Sequence, residues 1–334
     1  MGKAKVVLMP PDMDPIRPEL TVIAAAIDDY GTISEALDAV EEQTANRQIE
    51  LLVVLDSLKR FNAPADFSAR HPRAKVIEVG RPLPLNEARA IGIAKAAADF
   101  VFLLEDHCLS TRDCMAKLIA RIREGRWSVI GPAFESGNSR SVHGQAANLL
   151  TYGQWMGYKE AAERRYVSGY SSAWRCASLK ALSPHLVREL AIPSRLQERL
   201  RRSGERLLFE PQAVMRHWEA SHPGDIRRIL FRQGVGMGFI RHGNSGIVRK
   251  LTASLMIFPL LLNRILRGAA AWRRTHSRSL RILFAIPSLA MVWCMGELVG
   301  YWTRDSSNAL RGVSEVERKR QPYIDSEHEP IRRR

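Results

Sequence analysis

Ten consecutive residues constrain this chain more than any others: Asp99-Phe100-Val101-Phe102-Leu103-Leu104-Glu105-Asp106-His107-Cys108. The unbroken apolar and aromatic run predicts a strand buried on both faces, as in a sheet covered by helices. It stops at Glu105, Asp106 and His107, so the strand delivers two carboxylates and an imidazole to one edge of a sheet. In open α/β sheets, ligands bind outside the carboxyl ends of the strands. Oxygen and nitrogen ligands of this kind suit Mg²⁺ or Mn²⁺, and such an ion can bridge to nucleotide phosphates. The same residues also fit a solvated loop start with a helix cap, and the sequence upstream tips the balance.

Upstream, Thr21 to Ile27 predicts a strand that ends at Asp28-Asp29-Tyr30-Gly31. Thr32 or Ser34 is the expected cap of the helix that follows. Ile49 to Leu55 is a second buried strand, closed by Asp56. Strand, helix and strand make a right-handed βαβ unit with a parallel sheet, which brings Asp28 and Asp56 side by side. A third strand is expected over Ala74 to Val79, then a helix over Asn86 to Ala98 that carries Arg89. A helix from Arg112, stopped by Gly125, and a strand from Trp127 to Gly131 continue the alternation. No G-x-G-x-x-G follows the first strand and no G-x-x-x-x-G-K-[ST] occurs, which argues against a dinucleotide fold and a P-loop enzyme.

The 334 residues carry a formal net charge of +15, which favours an anionic partner: nucleic acid, a membrane surface or a phosphorylated substrate. Nucleic acid is disfavoured, because the arginines gather in the C-terminal third beside apolar helices rather than alternating with aromatics on a strand surface. The four cysteines form no CxxC pair and read as cytosolic thiols, and the first apolar run is too short for a signal peptide.

Together these segments resemble the family 2 glycosyltransferases of the GT-A fold. The motifs that carry the resemblance are Ile27-Asp28-Asp29-Tyr30, Gln43-Thr44, Val53-Val54-Leu55-Asp56-Ser57, Ala88-Arg89-Ala90-Ile91-Gly92 and Phe102-Leu103-Leu104-Glu105-Asp106-His107. A second signature follows in Leu196-x-x-Arg199-Leu200-x-x-x-Gly204 and Glu210-Pro211-x-Ala213-Val214-x-x-His217. The resemblance spans roughly residues 20 to 240 and implies a Rossmann-like, mainly parallel sheet flanked by helices. It implies that Asp28 or Tyr30 and Asp56 contact the base and ribose of a nucleotide sugar, linked to UDP or GDP. Arg89 would lie near the diphosphate, with Glu105 beside the donor. Asp106, with His107 and His217, would hold Mn²⁺ or Mg²⁺ as a Lewis acid for the leaving diphosphate.

The chain departs from the family where an acidic Glu-Asp pair supplies the base that deprotonates the acceptor. Those positions are Pro193 and Ser194 here, and Ser194 with Gln197 reads as a capping box. Glu189 and Glu198 are the neighbouring carboxylates able to substitute as base. The alternative is a catalytically silent, glycosyltransferase-like binding or scaffold protein. The aromatic segment Glu135 to Leu179 suits acceptor recognition, the acceptor itself being unknown, and the glycines of Arg227 to Gly238 suit a loop that closes over the donor.

From Leu251 the composition turns apolar. Ile282 to Trp302 is about 21 residues long with Glu297 as its one charge, close to a spanning length. Two spans would place Arg264 to Arg281 on the far side, against the positive-inside tendency, whereas helices lying in the interface avoid that conflict. The expected organisation is a lead-in over 1–19, a GT-A domain over 20–245, hydrophobic helices over 246–304 and a charged, disordered tail over 305–334. A membrane-associated enzyme on the cytoplasmic face of an anionic membrane is expected. In that reading a chain ending near Arg249 folds without the helices.

Overall fold

The computed structural model describes residues 5–8, 17–275 and 279–304. The tail from 305, most of the lead-in, and Arg278 lie outside the described residues. The chain divides into two compact units, one of residues 1–133 and 158–216 and one of residues 134–157 and 217–334.

The first unit contains β1 (Lys5–Leu8), β2 (Leu20–Ala26), α1 (Tyr30–Glu41), β3 (Ile49–Leu55), α2 (Leu58–Phe61), α3 (Phe67–Arg70), β4 (Ala74–Glu78), α4 (Leu85–Lys95), β5 (Phe100–Leu104), β6 (Cys108–Ser110) and α5 (Cys114–Ile122). In β7 (Val129–Ser136) the chain passes into the second unit, where α6 (Val142–Thr151) lies. It returns with β8 (Ala162–Glu163), β9 (Ala173–Arg175), α7 (Cys176–Lys180), α8 (Leu186–Leu190), α9 (Pro193–Arg202) and β10 (Leu207–His217). The sheet order is β1-β4-β3-β2-β5-β9-β7-β10-β6. β4, β3, β2 and β5 are parallel, whereas β1 and β9 pair antiparallel with β4 and β5. The sheet is therefore mixed, with the parallel strands grouped together. β3 and β5 are buried at every residue, as unbroken apolar runs require of strands covered on both faces.

Local chemistry fixes the helix positions. Asp29 caps α1, its carboxylate accepting from the Gly31 N–H at 2.7 Å, in place of the expected Thr32 or Ser34. Asp29 comes first in the chain with an extended backbone, the conformation a cap needs, and Thr32 and Ser34 already lie within the helix. Gly92 lets α4 lie against β2, since a Cβ there would stand 2.5 Å from Ile23 Cγ2. That approach accounts for the glycine of the Ala88–Gly92 motif. Gly125 and Gly204 adopt positive φ just beyond α5 and α9, where a helix stops most easily at glycine.

The second unit is helical: α6, α10 (Pro223–Gly238), α11 (Ile247–Leu255), α12 (Ile257–Arg274) and α13 (Leu280–Trp302). α13 packs on α10, α12 and α6. Gly234 and Gly238 of α10 meet Gly296 and Gly300 of α13. A Cβ on any of the four would stand 2.2 or 2.3 Å from a backbone oxygen of the other helix. These are reciprocal small-x-x-x-small faces, the device that lets two helix backbones touch. The loop expected over Arg227 to Gly238 is therefore helix, its glycines used for close approach. Glu297 is fully buried on α13 and pairs with Arg241 at 2.8 Å and with Arg264. Helix α13 is long and apolar enough to cross a membrane, with a mean hydropathy of 1.9, and α11 and α12 meet at a 45° bend.

Candidate functional site at the carboxyl edge

β3, β2 and β5 are neighbours running the same way, so their carboxyl ends share one edge. Asp28, Asp56, Glu105 and Asp106 all follow those ends within two residues. Asp56 is buried. Its Oδ2 accepts from Arg60 at 2.7 Å, while its Oδ1 has no partner. Sequence reasoning passed over Arg60, although its spacing four residues beyond Asp56 on a short helix was a legible signal. Asp56, by hydrogen bond and charge, and then Asp28, by charge, raise the pKa of Arg60, so both acids face one guanidinium. Tyr30 is placed differently. It begins α1 inside an aromatic cluster with Phe61 and Phe67, and its hydroxyl meets His71 Nε2 at 2.8 Å.

Arg89 belongs to the same edge, because α4 starts where the parallel strand β4 ends and Arg89 lies near that start. It is only 3% exposed. Its guanidinium lies 3.7 Å above the Tyr170 ring, one terminal nitrogen donates to Asn86 Oδ1 at 3.0 Å, and Nε is buried without a partner. Among the described residues no carboxylate pairs with it.

Glu105 is buried and accepts from Ser171 Oγ at 2.9 Å. Ser171 adopts φ +51°, a left-handed conformation rare for serine, and its N–H donates to Leu103 O at 2.7 Å. Asp106, its side chain 21% exposed, accepts from Nδ1 of the buried His107 at 2.6 Å. Among the described residues no three His, Cys, Asp or Glu side chains come together around an ion. A single carboxylate beside a diphosphate is nonetheless a common Mg²⁺ arrangement, since substrate phosphates and water complete the shell.

His217, in the second unit, is fully buried. Asn148 Nδ2 faces three acceptors, Asn138 Oδ1 at 2.9 Å, Ser136 Oγ at 3.0 Å and the His217 carbonyl at 3.2 Å. Asn148 Oδ1 therefore faces His217 Nδ1, which donates to it at 2.8 Å. The ring also lies against Tyr152, 4.0 Å between centroids. Of the aromatic segment proposed for an acceptor, Trp174 is buried in β9 as core.

Glu198 sits among Arg165, Arg201 and Arg202 and accepts from the Tyr166 hydroxyl at 3.2 Å. Burial raises its pKa, but the arginines and the tyrosine outweigh that and hold it below the ordinary carboxylate value. Glu189, on α8, lies near Arg199 at 3.5 Å and Arg188 at 3.8 Å.

Residues 21–182 match the family described as Glycosyl transferase family 2. That stretch, just under half of the chain, is similar to the family 2 glycosyltransferases. No curated protein matches the chain. Solved structures similar to it include GalNAc-T7 with UDP, GalNAc and Mn²⁺, at 16% identity and TM-score 0.48, covering 61% of this chain and 44% of that one. S. aureus TarS 1-349 with UDP has 17% identity and TM-score 0.47, covering 64% and 63%. The mannosyltransferase PcManGT from Pyrobaculum calidifontis with GDP-Man and Mn²⁺ has 17% identity and TM-score 0.49, covering 94% and 90%. The chain thus spans under two thirds of the first two.

The matched stretch ends before α9. There the expected capping box is absent: Ile192 occupies the cap, Pro193 is the first helical residue, and no side chain caps the helix. Gln197 instead turns inward, accepting from Val167 N–H at 3.0 Å and donating to Val167 O at 3.1 Å. Pro193 packs on Gly169, where a Cβ would stand 2.3 Å from Pro193 Cβ.

Proposed function

We propose that this chain transfers a sugar from a nucleoside-diphosphate sugar to an acceptor, with inversion from a single displacement. One observation carries this reading. The sheet edge holds two buried polar atoms of opposite character without partners, the Asp56 Oδ1 acceptor and the Arg89 Nε donor. Unsatisfied buried groups are costly and are retained where a ligand completes them. An acceptor suits a nucleoside hydroxyl or N–H, and a guanidinium suits a diphosphate.

Asp106, partly exposed and next to His107, is the residue we assign to a divalent cation. The cation would supply Lewis-acid stabilisation of the leaving diphosphate. We leave the base unassigned, since Glu198 is committed to its arginines. That vacancy and the proline at the family's acidic position favour, as a second reading, a binding protein that holds the donor without turnover. Release of nucleoside diphosphate from UDP- and GDP-sugars, with and without Mn²⁺, separates the two readings. Turnover supports the enzyme, and binding without turnover supports the silent protein.

We also place the chain at the cytoplasmic face of an anionic membrane. α11 and α12 expose Ile247, Leu251, Leu255, Phe258, Leu262 and Leu266, and α13 exposes a stripe of Leu280, Phe284, Met291, Met295 and Val299. Arg249, Arg267, Arg273 and Arg281 are exposed on the same helices, and the one acid of residues 246–304 is the buried Glu297. Apolar stripes with cationic neighbours suit anionic lipid.

A further inference from the structure

We infer that Tyr170 is a positioning residue for Arg89 and so sets how tightly the sheet edge holds the donor diphosphate. The inference rests on the donor reading above. A buried guanidinium usually has a carboxylate counterion, because an uncompensated charge in a low-dielectric site is costly. Arg89 has an aromatic face in that place, with the ring centroid 3.7 Å from Cζ. The difference matters chemically. A carboxylate would neutralise the charge and occupy the in-plane N–H groups, whereas a ring attracts the cation from above its plane and leaves both charge and donors for an anion.

The loop bearing Tyr170 is built to hold that ring still. The Tyr170 hydroxyl donates to Leu190 O at 2.7 Å. On one side of it Gly169 is pressed against Pro193, where a Cβ would stand 2.3 Å from Pro193 Cβ. On the other, Ser171 takes its left-handed conformation and bonds both Glu105 and Leu103. Ser168 and Ser172 close the loop with a 2.5 Å hydroxyl contact, and Gln197 grips its start. β9 runs antiparallel to β5, with Ala173 opposite Phe102, so residues just before 173 stand at the carboxyl end of β5. Tyr170 therefore reaches Arg89 from the loop beside the carboxyl end of β5, the strand that presents Asp106.

The test is calorimetric titration of the full chain with UDP and GDP, each compared with its nucleoside, in the presence of Mn²⁺. Tyr170→Phe keeps the ring and should bind the better diphosphate within about twofold of the parent, while Tyr170→Leu should lose roughly tenfold. The loss should be absent from nucleoside binding and should vanish in an Arg89→Ala background, an outcome that a general packing defect would not give. Should Tyr170→Leu fail to fold, Tyr170→Met keeps the bulk without the ring face and carries the same expectation. Parental affinity in the Leu or Met variant overturns the inference, as does equal loss in Phe and Leu or a loss that persists without Arg89. A parent chain that binds neither diphosphate overturns the donor reading and this inference with it, whereas a binding parent with an indifferent Tyr170 overturns the inference alone.

Discussion

Gly238 of α10 approaches Glu297 of α13 so closely that a Cβ on the glycine would stand 2.2 Å from the glutamate's backbone oxygen. The obstacle is backbone and cannot rotate away, so the helices must separate to admit a methyl group. Gly238→Ala and Gly234→Ala should each destabilise the chain by about 1–3 kcal/mol, the usual range for overpacking, read as a lower thermal midpoint. The same contact revises the expectation for a chain ending near Arg249. Such a chain keeps α10 but loses the helix its glycines fit, so it should aggregate; a soluble, monodisperse product would show the packing to be dispensable.

Asp106→Ala should remove the part of nucleoside-diphosphate stabilisation that depends on Mn²⁺ while leaving the metal-free midpoint close to the parent's. The side chain is partly exposed and its contact is with His107, so the substitution removes a candidate ligand and little packing. Unchanged metal dependence in thermal-shift titrations would reject the assignment.

Glu198 should not behave as the base. Its folded pKa is depressed, so the stability it contributes is fully present above its ordinary value of 4.5 and is lost as pH falls through the folded value. The stability gap between the parent and Glu198→Gln should therefore hold at neutral pH and shrink in acid. Turnover in the variant should stay within about threefold, because removing a true general base costs far more. A hundredfold loss of kcat with an altered pH profile would restore Glu198 to the chemistry.

The full chain should sediment with vesicles containing anionic lipid and be only partly released by high salt, because apolar insertion survives the screening that weakens the arginine term. Replacing Leu255, Phe258 and Phe284 together by Glu should abolish sedimentation with little loss of stability, since all three side chains are exposed. Retained binding in that variant would place membrane contact elsewhere.

What the sequence determined by itself was the order of the parallel strands β2 to β5 with α1 and α4, and the identity of the acids at the strand ends. Those follow from chain-local features: apolar runs such as Val101 to Leu104, and the polar residues at which they stop. Partner choice was decided only in the tertiary structure. Gly234 reads equally as a loop residue or a packing residue until Gly296 is placed against it, and the two are far apart in the chain. Gln197 fits a capping box by spacing, yet two backbone bonds to Val167 outcompete it. Arg89 reads as an ordinary helix arginine, and only burial beside Tyr170, with no carboxylate among the described residues, gives it a charge to share. The physical reason is common to all three: a run or a turn is specified by neighbours in sequence, whereas burial and the partner of a polar atom depend on which distant segment arrives there.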